Sequence, residues 1–180
     1  MPVIIFLPIV LFLIVLIWYI ATMNNLRRAE VKINEALSDI DVALVKRHDV
    51  LSKMYDICKG YMKYEKETIL ETINLRSGMT MKERTNAIND LDQASNFVNV
   101  VAENYPELRS SENFKQLQIS VMDVEEHLQA ARRLYNSNIS YLNQKVVSFP
   151  SSIVANTLGI SSKEFFETKE DKKEDVKMDF

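Results

Sequence analysis

Glycine and proline are scarce, with three and four copies in 180 residues. A many-stranded sheet needs more turn residues than that, so the shortage argues against an all-β fold and for helix. Cysteine occurs once, at Cys58, which excludes an intramolecular disulfide framework and agrees with a reducing compartment. Histidine occurs twice, at His48 and His127, and neither forms a zinc-ligand spacing with Cys58, so no metal ligands are expected. The net charge of −3 comes from interspersed charges of both signs, which leaves no electrostatic footprint for nucleic acid. Glycines stand only at Gly60, Gly78 and Gly159, so there is no phosphate-cradling loop, and no serine sits in a nucleophile elbow. Asp39 with Asp41, and Glu125 with Glu126, are spaced too closely to share one helix face, and they read as solvated carboxylates. Catalytic and cofactor-binding residues are therefore expected to be absent. The chain reads as a non-enzyme.

What is present begins at the N-terminus. From Val3 to Ala21 no side chain is charged and nearly all are large and apolar. About twenty helical residues span roughly 30 Å, the thickness of a bilayer's hydrocarbon core. The anchor residues are Val3, Phe6, Leu11, Leu16, Trp18 and Tyr19, with the last two at headgroup level. Pro8 should kink the span, which membrane helices tolerate. A cleaved signal peptide would need a basic start and a small-x-small cleavage site, and Met1-Pro2 and Tyr19-Ile20-Ala21 supply neither. Arg27, Arg28 and Lys32 follow the span, so the positive-inside rule places the N-terminus outside and the body in the cytoplasm.

The rest divides by apolar spacing into three long helices. The first is expected from about Asn24 to Arg76, with Ile33, Leu37, Ile40, Leu44, Leu51, Met54, Cys58 and Tyr61 on one stripe and Arg47 as its polar step. Ser77-Gly78 supplies a stop. The second is expected over Met81 to Tyr105, with Ile88, Leu91, Ser95, Val98, Ala102 and Tyr105 inward and Pro106 ending it. The third, about Glu112 to Ser148, carries a 3-4 repeat from Phe114 through Leu128 and Tyr135 to Phe149, interrupted by Asn138 and Lys145. These two either fix register or lie at a wetter end. Ser151 to Phe166 reads as a short helix plus a strap, and Glu167 to Phe180 as a charged tail unable to fold alone. The fold class is all-α: one transmembrane helix, then an antiparallel bundle of three long helices with a short C-terminal helix.

A first helix of about 50 residues is roughly 75 Å long, and a second of about 25 is roughly 38 Å. An antiparallel second helix would leave the membrane-proximal part of the first without intrachain cover. Ile33, Leu37, Ile40 and Leu44 are therefore the expected self-assembly face, giving a homo-oligomer. The alternative is a break near Gly60, with the chain closing on itself as shorter helices.

Several runs together resemble the LemA family. These are Ile40-Asp41-Val42-Ala43-Leu44-Val45-Lys46-Arg47-His48-Asp49, Lys59-Gly60-Tyr61, Tyr105-Pro106-Glu107-Leu108, Phe114-Lys115-Gln116-Leu117-Gln118, Ala131-Arg132-Arg133-Leu134-Tyr135-Asn136 and Ser148-Phe149-Pro150-Ser151, with Phe165-Phe166 after them. The resemblance covers residues 20 to 166 in order. It implies a bacterial protein with an N-terminal membrane helix and an antiparallel helical bundle, and it implies no enzymatic activity or cofactor. Ala43 and Val45 depart from it, standing where more polar residues are common. The division is then an anchor over 1–23, a cytoplasmic LemA-like bundle over 24–166 and a tail over 167–180.

Two functions compete. In one, the chain is a scaffold that self-assembles on the cytoplasmic face of the bacterial inner membrane and organises or shapes the bilayer. In the other, it is a monomeric or dimeric tethered adaptor that recruits an unidentified protein partner through its distal end or tail. The lipid bilayer is a partner in both.

Overall fold

A computed structural model describes residues 2–62, 70, 73–76 and 78–166, with side chains placed from Phe6 onward. Among these residues all regular structure is helical: α1 (Pro2–Lys59), α2 (Met81–Asn104), α3 (Pro106–Ser110), α4 (Glu112–Val147) and α5 (Ser151–Thr157). The expected charged tail, the stop at Ser77 and the side chain of Val3 lie outside the described residues.

α1 runs without interruption from the apolar run into the polar body, with Pro8 inside it. It does not continue to Arg76. It ends at Lys59, where Gly60 N–H donates to the Ile57 carbonyl and Tyr61 N–H to that of Cys58, the short i→i−3 bonds of a closing turn. Glycine disfavours helix there, and Lys59 places a positive charge at the negative end of the helix dipole. α2 opens with a reciprocal cap. Glu83 N–H donates to the Thr80 hydroxyl at 3.2 Å, and Thr80 N–H donates to the Glu83 carboxylate at 2.6 Å. The bond from the Thr80 backbone, then its hydroxyl and Arg76, lower the Glu83 pKa below its ordinary value. Pro106, expected only to stop the second helix, also starts α3, where its missing N–H leaves nothing unsatisfied.

The chain forms two compact units, one of residues 1–36 with 133–165, the other of residues 37–132 with 166–180. In the larger unit α2 is parallel to α1, which corrects the expected antiparallel bundle. Asp41 pairs with Arg84, Tyr55 stacks with Phe97 at 5.8 Å, and Tyr61 with Tyr105 at 6.1 Å. Both sequences therefore ascend together. The early end of α1 permits this: Lys59 and Asp41 are 18 helical residues apart, about 27 Å, a distance that the 21 residues between α1 and α2 are long enough to span. Part-way along, His48 Nε2 donates to the Leu70 carbonyl at 3.1 Å, and the Leu70 side chain is buried. α3 then reverses the chain, so the first half of α4 descends against α1 and α2.

In the smaller unit Leu26, Ala29, Ile33 and Ala36 of α1 are buried, as are Tyr135, Ile139 and Leu142 of α4. Asn138 Nδ2 donates to the Lys32 carbonyl at 3.1 Å. This amide links the two helices at an exposed position, and Ile139 takes the buried position beside it. Lys145 is half-buried, with Nζ 5.6 Å from the Tyr141 ring centroid. After α5 the chain reverses at Gly159, whose φ of 68° suits glycine. The returning strap is held by a reciprocal pair, in which Lys163 N–H donates to Asn143 Oδ1 at 2.8 Å and Asn143 Nδ2 to the Lys163 carbonyl at 2.9 Å.

Candidate functional site

The N-terminal part of α1 carries an 18-residue window of mean hydropathy 2.6, none of it buried by the protein. Phe6, Leu11, Leu16 and Trp18 are exposed and Tyr19 is half-buried. Moving so long an apolar surface out of water is favourable, at about 25 cal/mol for each Å². α1 is long and apolar enough to cross a membrane.

The expected self-assembly face has a different fate. Ile33, Ile40 and Leu44 are 1%, 0% and 0% exposed within the chain itself, and Leu37 is half-buried. The premise that they lack intrachain cover is corrected. From Asn24 α1 has 36 residues and not the 53 expected to Arg76.

The carboxylates of Asp41 and Glu125, expected on solvated faces, instead belong to ion pairs inside the larger unit. Arg84 Nε and Nη2 hold Asp41 Oδ1 and Oδ2 at 2.7 and 2.8 Å, a two-pronged fit of guanidinium to carboxylate, and Nη1 donates to the Met79 carbonyl. The side chains are 6% and 17% exposed. Arg47 Nη2 lies 2.7 Å from Asp92 of α2 and 3.1 Å from Glu125 of α4. Its buried Nε and Nη1 have no hydrogen-bond partner among the described residues. Arg132 reaches Glu125 of the same helix at 3.6 Å. Arg47 thus ties α1, α2 and α4 at one level, and Arg84 ties α2 to α1. Such buried pairs do more for register than for stability.

Asp39, Glu126 and His127 are exposed, and His48 is half-buried. Among the described residues no three His, Cys, Asp or Glu side chains gather as metal ligands. Cys58 is fully buried, and burial pushes its thiol pKa up to about 11. Iodoacetamide at pH 8 is expected to leave it unlabelled in the folded protein and to alkylate it once denatured, as read by mass spectrometry. Ser38, Asp41, Val42, Val45 and Lys46 of α1 line an open groove of about 430 Å³ with Leu75, Arg76 and Met79.

The LemA family model matches residues 36–180. The chain belongs to the LemA family. It is 28% identical over 163 residues to "Protein LemA" of Metamycoplasma hominis, an alignment covering 88% of this chain and 74% of that protein. The match includes Asp41, Arg47, Arg84, Asp92 and Glu125, so the ion-paired core lies inside the LemA region. Its start at residue 36 leaves out the apolar run, which this LemA chain carries as the first part of α1.

Proposed function

We propose that this LemA-family protein is a membrane-tethered docking protein. α1 crosses the bacterial inner membrane once, with the N-terminus outside, and holds a closed, non-catalytic helical bundle against the cytoplasmic face. The burial of Ile33, Ile40 and Leu44 by the chain's own helices carries this reading, because a bundle that covers its own stripe needs no second copy to be stable. The outward N-terminus rests on Arg27, Arg28 and Lys32, which follow the span on the side that becomes cytoplasmic. An unidentified protein partner would then meet the distal end or the tail.

A second reading keeps self-assembly into a scaffold that organises or shapes the bilayer. Val42 and Val45 favour it, because they are exposed on α1, where they line the groove with Leu75, Arg76 and Met79. The mass of the full chain in lipid nanodiscs separates the two. Particles with one or two copies are expected for a tether, and large assemblies across dilutions would return the scaffold to first place. Protease added to intact spheroplasts should leave the bundle uncut, and should digest it in inverted vesicles.

A further inference from the structure

The corner between α4 and α5 presents large apolar side chains to the outside. Val147 is 72% exposed, Phe149 82% and Ile153 55%, three large apolar side chains within seven residues. The corner itself is well built. Ser151 Oγ donates to the carbonyls of Lys145 and Ser148, Ser152 N–H donates to the Ser148 carbonyl, and Val154 and Ala155 beneath it are fully buried. The three side chains therefore project from an ordered turn.

Its height relative to the apolar run follows from one unit alone. Asn138 is opposite Lys32. Leu26 and Ala29, further toward the N-terminus, are buried, and Ile139 and Leu142 are the buried α4 residues available to cover them, so α4 heads toward the apolar run. Val147 lies nine residues past Asn138, about 14 Å, and nine residues before Lys32 is Met23. The corner ends where the apolar run ends, one turn from Trp18 and Tyr19. Arg28 is exposed on the polar side of that level, where anionic headgroups would meet it.

The geometry points to a second membrane contact: Val147, Phe149 and Ile153 rest in the interfacial layer of the bilayer that α1 spans. It rests on the membrane reading above. The occupant is lipid and not a second copy, because the patch is level with the anchor's own bare surface and any bilayer around α1 meets it first. A single helix leaves the bundle free to tilt, whereas a second contact beside it holds the bundle at a set angle.

Tryptophan fluorescence of the full chain in vesicles containing lipid brominated near the headgroup tests this, since Trp18 is the single tryptophan. In the unchanged chain, quenching of Trp18 reports the anchor. In a Trp18→Phe background, Phe149→Trp and Ile153→Trp are expected to lose emission to brominated lipid as Trp18 does, and to resist aqueous acrylamide. Leu134→Trp, exposed on α4 about 20 Å from Val147, is expected to do the reverse. If both corner variants behave like Leu134→Trp while Trp18 is quenched, the inference is overturned and the tether stands. Protection from acrylamide without quenching by lipid would mean that protein covers the corner, and also overturns it. An unquenched Trp18 ends both readings.

Discussion

Replacing Arg84 by alanine is expected to destabilise the folded chain by about 3–5 kcal/mol, because it strands the partly buried Asp41 carboxylate with no cation. The guanidinium supplies both bonds to that carboxylate and a third to the Met79 carbonyl, and desolvation makes each lost partner expensive. Asp41→Leu with Arg84→Met removes both charges while keeping apolar bulk, and should recover most of the loss. Loss of helical circular dichroism on heating, in detergent, measures all variants. Equal destabilisation by the single and the paired substitution would show that packing, and not the unpaired charge, governs the site. The pair stands at the start of α2, so its energetic coupling reports that α2 begins beside Asp41.

That arrangement was not legible in the sequence, and the reason is a single boundary. The residues after Gly60 continue with lysine, glutamate and apolar side chains that suit a helix, so periodicity alone extends the first helix to Arg76. The observed end comes at Lys59, before Gly60, and the later Leu70 carbonyl meets His48, a contact between positions 22 apart that no local window contains. Seventeen surplus residues made the first helix longer than any partner, and an uncovered stripe and a self-assembly face followed. One boundary error became a quaternary expectation.

The long regular features were legible, because each is written locally. The charge-free run, the bounds of α2 and α4 to within a residue, and the strap after α5 all follow from spacing and punctuation. The ion pairs were not. Asp41 follows a core isoleucine and reads as a solvated face, while Arg84 stands one turn before Ile88 on a stripe of apolar residues. Which of them finds the other is decided by topology. The Thr80–Glu83 cap at the start of α2 went unread, although its spacing is local and would have supported that start.

Phe114 and Phe149 show where periodicity stops being informative. Both sit on the 3-4 repeat read from the sequence, but α4 ends at Val147: Phe114 inside it is 0% exposed and Phe149 beyond it 82%. Phe114→Ala is expected to destabilise by about 3–5 kcal/mol, the lost transfer free energy plus the cavity it leaves. Phe149→Ala is expected to change stability in detergent by no more than about 0.5 kcal/mol, as for an exposed site without partners. Denaturant titration of the full chain followed by circular dichroism measures both. Similar losses for the two would mean that Phe149 is covered by protein after all, which removes the corner's claim on the bilayer. A large difference leaves a phenylalanine whose exposure the fold does not require, placed level with Met23 on α1, where the apolar run ends and a bilayer would begin.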